Sequence, residues 1–140
     1  MKINYQQHEI DTIAKILKER FDSRIILFYG EMGSGKTTLI RSLVKALGSA
    51  DEVSSPTFSI VNEYRTADGQ PIYHFDLYRL KDEEELMNLG IEDYFYGNPW
   101  VLMEWPEIAL DQIPNNYDII ELKQLNDVSR SLKLSHKTKN

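Results

Sequence analysis

One short stretch limits the possible folds of this chain more than any other, GEMGSGKT at residues 30–37. It fits the pattern G-x-x-x-x-G-K-[ST] without a mismatch. Its glycines permit backbone conformations that turn successive N–H groups towards one anion. The ammonium of Lys36 suits the β- and γ-phosphates of a nucleotide, and the hydroxyl of Thr37 suits Mg²⁺. The predicted nucleotide-binding residues here are Gly30, Gly33, Ser34, Gly35, Lys36, Thr37 and Thr38.

The residues around this stretch predict a strand before it and a helix after it. IILFY at residues 25–29 is a short apolar run, typical of a buried strand. After the loop, helical spacing holds as far as Gly48 for Leu39, Ile40, Leu43, Val44 and Leu47. A helix that begins at the loop directs its free N–H groups and the positive end of its dipole at the phosphates. We therefore predict a phosphate-binding strand–loop–helix unit.

Length and composition exclude several other classes of protein. A chain of 140 residues suits one domain over residues 1–140, and the absence of cysteine excludes disulfides and thiolate metal sites. A net charge of −6 argues against broad, autonomous binding of nucleic acid. The first residues lack the apolar segment of a signal peptide, and no apolar run approaches the roughly 20 residues of a membrane span. We therefore expect a cytoplasmic protein without membrane contact.

The rest of the chain alternates between strand and helix patterns. An Asp-Gly pair at residues 68–69 predicts the turn of an antiparallel hairpin. Helices are predicted at residues 8–21 and 81–90, with a short helix or turn at 91–96. Further strands are predicted at 58–65, 72–77, 100–103, 117–122 and 131–135, followed by a frayed basic tail at 136–140. This order predicts an α/β fold, a P-loop NTPase-like mixed sheet flanked by helices.

Two acidic residues follow strand patterns and are candidates to act beside the γ-phosphate. Asp76 comes after IYHF at 72–75, and Glu104 comes after WVLM at 100–103. Glu104 ends the more apolar run, which is typical of a central strand next to the loop strand. The carboxyl ends of such strands face the ligand crevice of open α/β sheets. The alternative for each acid is a strand end in solvent or an ion pair with arginine.

Three further residues lie near these acids in the sequence, and each has its own interpretation. Thr57 follows the rigid Ser55-Pro56 pair, where a hydroxyl can sense the γ-phosphate and Mg²⁺ or can cap its own turn. Trp105 directly follows the second acid and could be a core aromatic, a shield for the site or a partner contact. His74 shares a strand face with Asp76, and we interpret it as an ordinary strand histidine outside the active site.

Several motifs together resemble a known family. They are GEMGSGKTT at 30–38, SPTF at 55–58, HFDLYRL at 74–80, EEL at 84–86, GIEDYF at 90–95 and EWP at 104–106. In this order and at these separations they resemble the TsaE (YjeE) family of small bacterial P-loop ATPases. The likeness extends from the first helix to about Leu134. Many unrelated proteins share the loop, whereas the DLYRL and EWP segments are far more specific.

The resemblance implies a function in tRNA modification. Its members support formation of threonylcarbamoyladenosine on tRNAs that decode codons beginning with A. The implied protein binds ATP and Mg²⁺ and hydrolyses ATP to reset a complex of TsaB and TsaD, so it meets tRNA only through that complex. The residues that the resemblance assigns to catalysis are Asp76, Glu104 and Thr57, with Trp105 as an adjacent functional residue. It assigns Lys36 and Thr37 to phosphate and Mg²⁺, and the strand position of Glu104 makes this acid a further candidate ligand of Mg²⁺. An adenine contact would come from Arg130 or from Thr12 on the first helix.

Two other classes of P-loop protein compete with this interpretation. Small-molecule and nucleoside kinases usually bring a lid with several arginines. The arginines here are scattered singly, at Arg20, Arg24, Arg41, Arg65, Arg79 and Arg130. A GTP-driven switch needs a guanine-binding motif such as Asn-Lys-x-Asp, and the sequence has no such string. Both absences favour an ATPase.

Overall fold

A computed structural model describes residues 1–139 and contains one sheet of seven strands. The strands are β1 (Lys2–Gln6), β2 (Ile25–Tyr29), β3 (Val61–Arg65), β4 (Pro71–Asp76), β5 (Trp100–Glu104), β6 (Tyr117–Gln124) and β7 (Ser129–Lys137). The α-helices are α1 (Ile10–Arg20), α2 (Lys36–Ala46) and α3 (Glu83–Asn88). Short 3₁₀ segments lie at Gln7–Glu9, Ile91–Phe95 and Glu107–Gln112. Within residues 1–139, none of the helices has both the length and the apolar composition to cross a membrane.

The sheet is mixed, with the loop strand at its centre. The strand order is β1-β7-β6-β2-β5-β4-β3. The four strands β6, β2, β5 and β4 are parallel to their neighbours within that group, whereas β3, β7 and β1 pair antiparallel. Glu104 pairs with Phe28 on one side and with Asp76 on the other. This register brings the carboxyl ends of three strands together, and it confirms the predicted P-loop NTPase-like mixed sheet.

Apolar layers cover both faces of the sheet. On one face, α1 and α2 pack over the sheet through Leu17, Leu39 and Ile40, all fully buried. On the other face, α3 and the later 3₁₀ segments pack over Phe75 and Met103. Strands β2 and β5 are enclosed by both layers, which explains why their sequences are continuously apolar instead of alternating. The prediction of a central strand that ends in Glu104 is confirmed.

The structure departs most from the sequence predictions at strand β1, at the start of strand β3 and at the C-terminal tail. Strand β1 was not predicted, although its sequence KINYQ alternates polar and apolar residues; it is a five-residue edge strand in which Tyr5 is the one buried residue. The predicted strand at 58–65 begins only at Val61, since Ile60 has a positive φ of 71° that interrupts extended backbone. The tail predicted to fray at 136–140 is ordered as far as it is described: β7 continues to Lys137, paired with β6, and Asn140 lies outside the described residues.

Candidate functional site

The 30–37 loop requires glycine for two different structural reasons. Gly33 and Gly35 adopt φ values of 81° and 102°, in the left-handed region that favours glycine. Gly30 does not adopt a positive φ, and glycine is needed there because a side chain would not fit. A Cβ there would lie 2.5 Å from the Ser34 hydroxyl and 2.7 Å from the carbonyl oxygen of Leu122. The expectation of unusual φ values is therefore right for Gly33 and Gly35 and wrong for Gly30.

The helix that follows the loop begins at Lys36 and presents its amino end to the loop. Lys36 is buried, and its ammonium donates to the carbonyl of Gly30 and lies 3.6 Å from the ring centroid of Trp105. Burial lowers the pKa of Lys36, and the nearby carboxylates of Glu104 and Asp76 partly offset that effect. The loop therefore holds a cation beside two acids.

The two predicted acids lie at the carboxyl ends of adjacent strands and contact the two predicted threonines. Thr37 Oγ1 donates to Glu104, with oxygen–oxygen distances of 3.0 and 3.2 Å. Thr57 Oγ1 donates to Asp76 at 3.2 Å, and the backbone N–H of Tyr78 donates to the other oxygen of Asp76 at 3.0 Å. Both acids are buried, and within residues 1–139 neither pairs with an arginine. Neither acid is therefore a strand end in solvent or, among the described residues, a member of an ion pair with arginine, the two alternatives that the sequence left open.

Glu104 and Thr37 form a donor set that fits Mg²⁺. A carboxylate and a hydroxyl are hard oxygen ligands, the type that this ion prefers, and the ion retains several waters of its own. Both oxygen groups lie at the wall of an open cavity, where such waters have room. The chemistry of these residues is therefore compatible with the ion.

A cavity of about 350 Å³ collects most of the predicted site residues. Its lining is Gln7, Met32, Gly33, Gly35, Lys36, Thr37, Thr38, Ser55, Thr57, Asp76, Glu104, Trp105 and Arg130. Gly30 and Ser34 instead line a neighbouring cavity beside Leu122, and the buried Ser34 hydroxyl has no hydrogen-bond partner among the described residues. Thr12 is exposed on α1 and is not part of the lining. A larger cavity of about 570 Å³, at the opposite strand ends near Arg24, contains none of the predicted site residues.

Trp105 and Arg130 both line the cavity, at positions that the sequence did not determine. Trp105 is half-buried, packs on the ammonium of Lys36 and on the ring of Tyr78, and has a positive φ of 53°. It is thus a wall of the cavity and not a core aromatic. Arg130 donates from Nε to the carbonyl of Ser34 at 3.1 Å, so it braces the loop from the side of β7.

Sequence reasoning missed the connection of His74 to the site. The ring is fully buried, and its Nε2 lies 2.7 Å from a carboxylate oxygen of Glu104. Its Nδ1 lies 3.0 Å from the hydroxyl of Tyr64. Our interpretation of His74 as a histidine outside the site was therefore incomplete. The available signal was its position two residues before Asp76, which places both side chains on one face of the strand.

The fold and the loop together define the class of this protein. A central parallel strand, a G-x-x-x-x-G-K-[ST] loop and a helix that begins at its lysine form a P-loop fold. A crystal structure of YdiB from Bacillus subtilis superposes with a TM-score of 0.69 and 26% identity, covering 100% of this chain and 88% of that one.

Sequence comparisons then identify the family. The family model described as threonylcarbamoyl adenosine biosynthesis protein TsaE matches residues 4–132. The tRNA threonylcarbamoyladenosine biosynthesis protein TsaE of Haemophilus influenzae is 39% identical over 89% of this chain and 79% of its own length. The proteins of that name from Bacillus subtilis and Synechocystis are 38% and 46% identical, over 77% and 65% of this chain and 66% and 59% of their own lengths. The chain belongs to the TsaE family, which takes part in tRNA threonylcarbamoyladenosine biosynthesis, and the predicted resemblance is confirmed.

Proposed function

We propose that this protein is an ATPase that binds ATP and Mg²⁺ in the 350 Å³ cavity. Through hydrolysis it supports tRNA N6-threonylcarbamoyladenosine formation by acting on the complex of TsaB and TsaD. The observation that carries the proposal is the convergence of Lys36, Thr37, Asp76 and Glu104 on one cavity in a member of the TsaE family.

Each residue contributes to binding or orientation. The loop N–H groups and the amino end of α2 bind the phosphates, and Lys36 exchanges its contact with the Gly30 carbonyl for a phosphate oxygen. Thr37 and Glu104 would hold Mg²⁺, which when bound neutralises charge on the phosphates. Asp76 accepts a hydrogen bond from the attacking water, while Thr57 and the Tyr78 N–H hold its carboxylate in place.

The charges around the cavity favour hydrolysis over transfer to a small molecule. Kinases neutralise the transferred phosphoryl group with several arginines. Among the described residues that line this cavity, Arg130 is the one arginine, and it already donates to the carbonyls of Ser34, Asn126 and Ser129. A kinase remains the alternative that the following experiment tests.

The test is ATP turnover by the purified protein, alone and with purified TsaB–TsaD. We expect slow turnover alone, stimulation by the complex, and loss of both in Asp76→Asn. Asp111→Asn is the matched control, because Asp111 is an exposed acid that does not line the cavity. Absence of stimulation together with failure to co-purify with TsaB–TsaD would support the kinase alternative.

A further inference from the structure

A chain of hydrogen bonds leads from Glu104 to the loop that carries Thr57. His74 Nε2 lies 2.7 Å from a Glu104 oxygen, and His74 Nδ1 lies 3.0 Å from the hydroxyl of Tyr64. That hydroxyl lies 3.1 Å from the carbonyl oxygen of Ser54. His74 is 0% exposed and Tyr64 is 3% exposed, so water does not compete for the bonds at the centre of the chain.

We propose that His74 and Tyr64 are positioning residues that orient the Glu104 carboxylate and couple it to residues 53–60, the Thr57 loop. Binding of ATP and Mg²⁺ beside Glu104 then changes how the Thr57 loop is held. This inference rests on the proposed function, because it assigns a means of regulation to the same site.

The coupling between Glu104 and the Thr57 loop follows from how many hydrogen atoms the hydrogen-bond chain has to share. Tyr64 has one hydroxyl hydrogen and two acceptors, the Ser54 carbonyl and His74 Nδ1. If the hydroxyl donates to Ser54, Nδ1 of His74 must carry a hydrogen to bond the Tyr64 oxygen. If the hydroxyl donates to His74, Nε2 can donate to Glu104. The Ser54 carbonyl then keeps one donor among the described residues, the side-chain amide of Asn62 at 3.1 Å. The hydrogen that Tyr64 gives to the Thr57 loop therefore depends on where the hydrogens of the His74 ring lie, and Glu104 contacts that ring.

The Thr57 loop is also strained and is held through the site. Ile60 has a φ of 71°, a conformation that is unfavourable for a β-branched residue. Its carbonyl accepts from the backbone N–H of Asp76 at 2.9 Å, and its own N–H donates to Pro56 at 2.6 Å. Such strain persists only while the surroundings maintain it. If the Tyr64 hydrogen bond changes, the strained Thr57 loop can therefore relax to a less strained conformation.

The test compares Tyr64→Phe with a matched control, Tyr73→Phe. Tyr64→Phe removes the hydroxyl and keeps the ring. Tyr73 lies on the adjacent strand with its ring packed edge-on against Tyr94, and its hydroxyl makes no hydrogen bond within residues 1–139. Binding of a non-hydrolysable ATP analogue is measured by calorimetry over a range of Mg²⁺ concentrations. Amide hydrogen exchange of residues 53–60 is measured with and without analogue and Mg²⁺.

We expect Tyr64→Phe to raise the Mg²⁺ concentration for half-maximal binding by roughly 3- to 10-fold, because the hydroxyl no longer fixes the His74 ring against Glu104. This is less than the roughly 10- to 100-fold typical for direct partners of metal ligands, because Tyr64 acts through His74. Exchange in the Thr57 loop should become fast and lose its response to analogue. Tyr73→Phe should match wild type in both measurements. If Tyr64→Phe speeds exchange but leaves the Mg²⁺ requirement and the response to analogue unchanged, Tyr64 is merely structural and the proposal is overturned.

A second variant keeps the proposal testable if Tyr64→Phe folds poorly. In His74→Gln the amide nitrogen can still donate to Glu104 but cannot reach Tyr64. We expect a Mg²⁺ requirement raised as in Tyr64→Phe, because both variants lose the bond that fixes the donor against Glu104, and we expect a lost loop response. A full loop response would overturn the proposal. If wild type itself does not bind the analogue, the proposed ATPase function fails, which is a different outcome from normal binding without coupling.

Discussion

Replacement of Glu104 by glutamine tests the division of work between the two site acids. The Glu104 carboxylate is 3% exposed, accepts from Thr37 at 3.0 Å and lies 2.7 Å from His74 Nε2. Glutamine keeps the shape and one oxygen for His74, but it removes the negative charge that would face the ion. Loss of an outer-shell partner of a metal ligand typically costs about 10- to 100-fold in affinity, and we expect the loss of charge on a candidate ligand to cost at least as much. That range is about 1.4 to 2.7 kcal/mol.

We therefore expect Glu104→Gln to raise the Mg²⁺ concentration for half-maximal ATP hydrolysis by about 10- to 100-fold. Asp76→Asn serves as the comparison, because Asp76 contacts Thr57 and the Tyr78 N–H instead of Thr37. Turnover should fall by about 100-fold or more if Asp76 positions the water, with the Mg²⁺ requirement much less changed. The assay is a Mg²⁺ titration of hydrolysis for both variants, with thermal melts to exclude unfolding. A larger Mg²⁺ shift in Asp76→Asn would refute the division.

Three further predictions concern single residues. Thr37→Ala should weaken ATP binding more with Mg²⁺ than with chelator, since the hydroxyl acts through the ion; equal losses by calorimetry would make Thr37 structural only. Burial raises the pKa of Tyr5 to about 12 from 10.0, and the Arg130 charge partly offsets this. Between about pH 10 and 12 the unfolded chain binds fewer protons than the folded one, so stability falls as pH rises, by up to about 3 kcal/mol. Tyr5→Phe should therefore unfold at higher pH than wild type, and identical alkaline midpoints would contradict the assignment. Gly30→Ala should lower stability by about 1–3 kcal/mol because its Cβ meets the Ser34 hydroxyl and the Leu122 carbonyl; an unchanged melting temperature would show that the loop accommodates it.

The local parts of the fold were predictable because their signals are local. The loop motif, the apolar run of β2 and the spacing of α2 each lie within a dozen residues. The apolar run of β5 likewise predicted a strand buried on both faces. Strand β1 does carry a local signal, the alternation of KINYQ, but its pairing with β7 joins residues about 130 positions apart and could not be predicted from that short pattern. Long-range pairing, not local pattern, determines that strand.

The candidate site shows the same limit. Lys36, Thr37, Asp76 and Glu104 were each identifiable from a motif or a strand end. The link through His74 depends on the register in which β4 pairs with β5, and its contact with Tyr64 depends on the pairing of β3 with β4. Such registers follow from the packed sheet, so a histidine in an alternating strand gives little indication of its partner.

The most direct test of the account is a calorimetric titration of ATP with Mg²⁺ into wild type and Lys36→Ala. Lys45→Ala is the matched control, because Lys45 lies on the same helix with its side chain 76% exposed and does not line the cavity. The account predicts that wild type and Lys45→Ala bind alike and that Lys36→Ala loses most of its affinity, because Arg130, the other cation of the described cavity lining, is engaged by backbone carbonyls. Retention of wild-type ATP affinity by Lys36→Ala would contradict the nucleotide site.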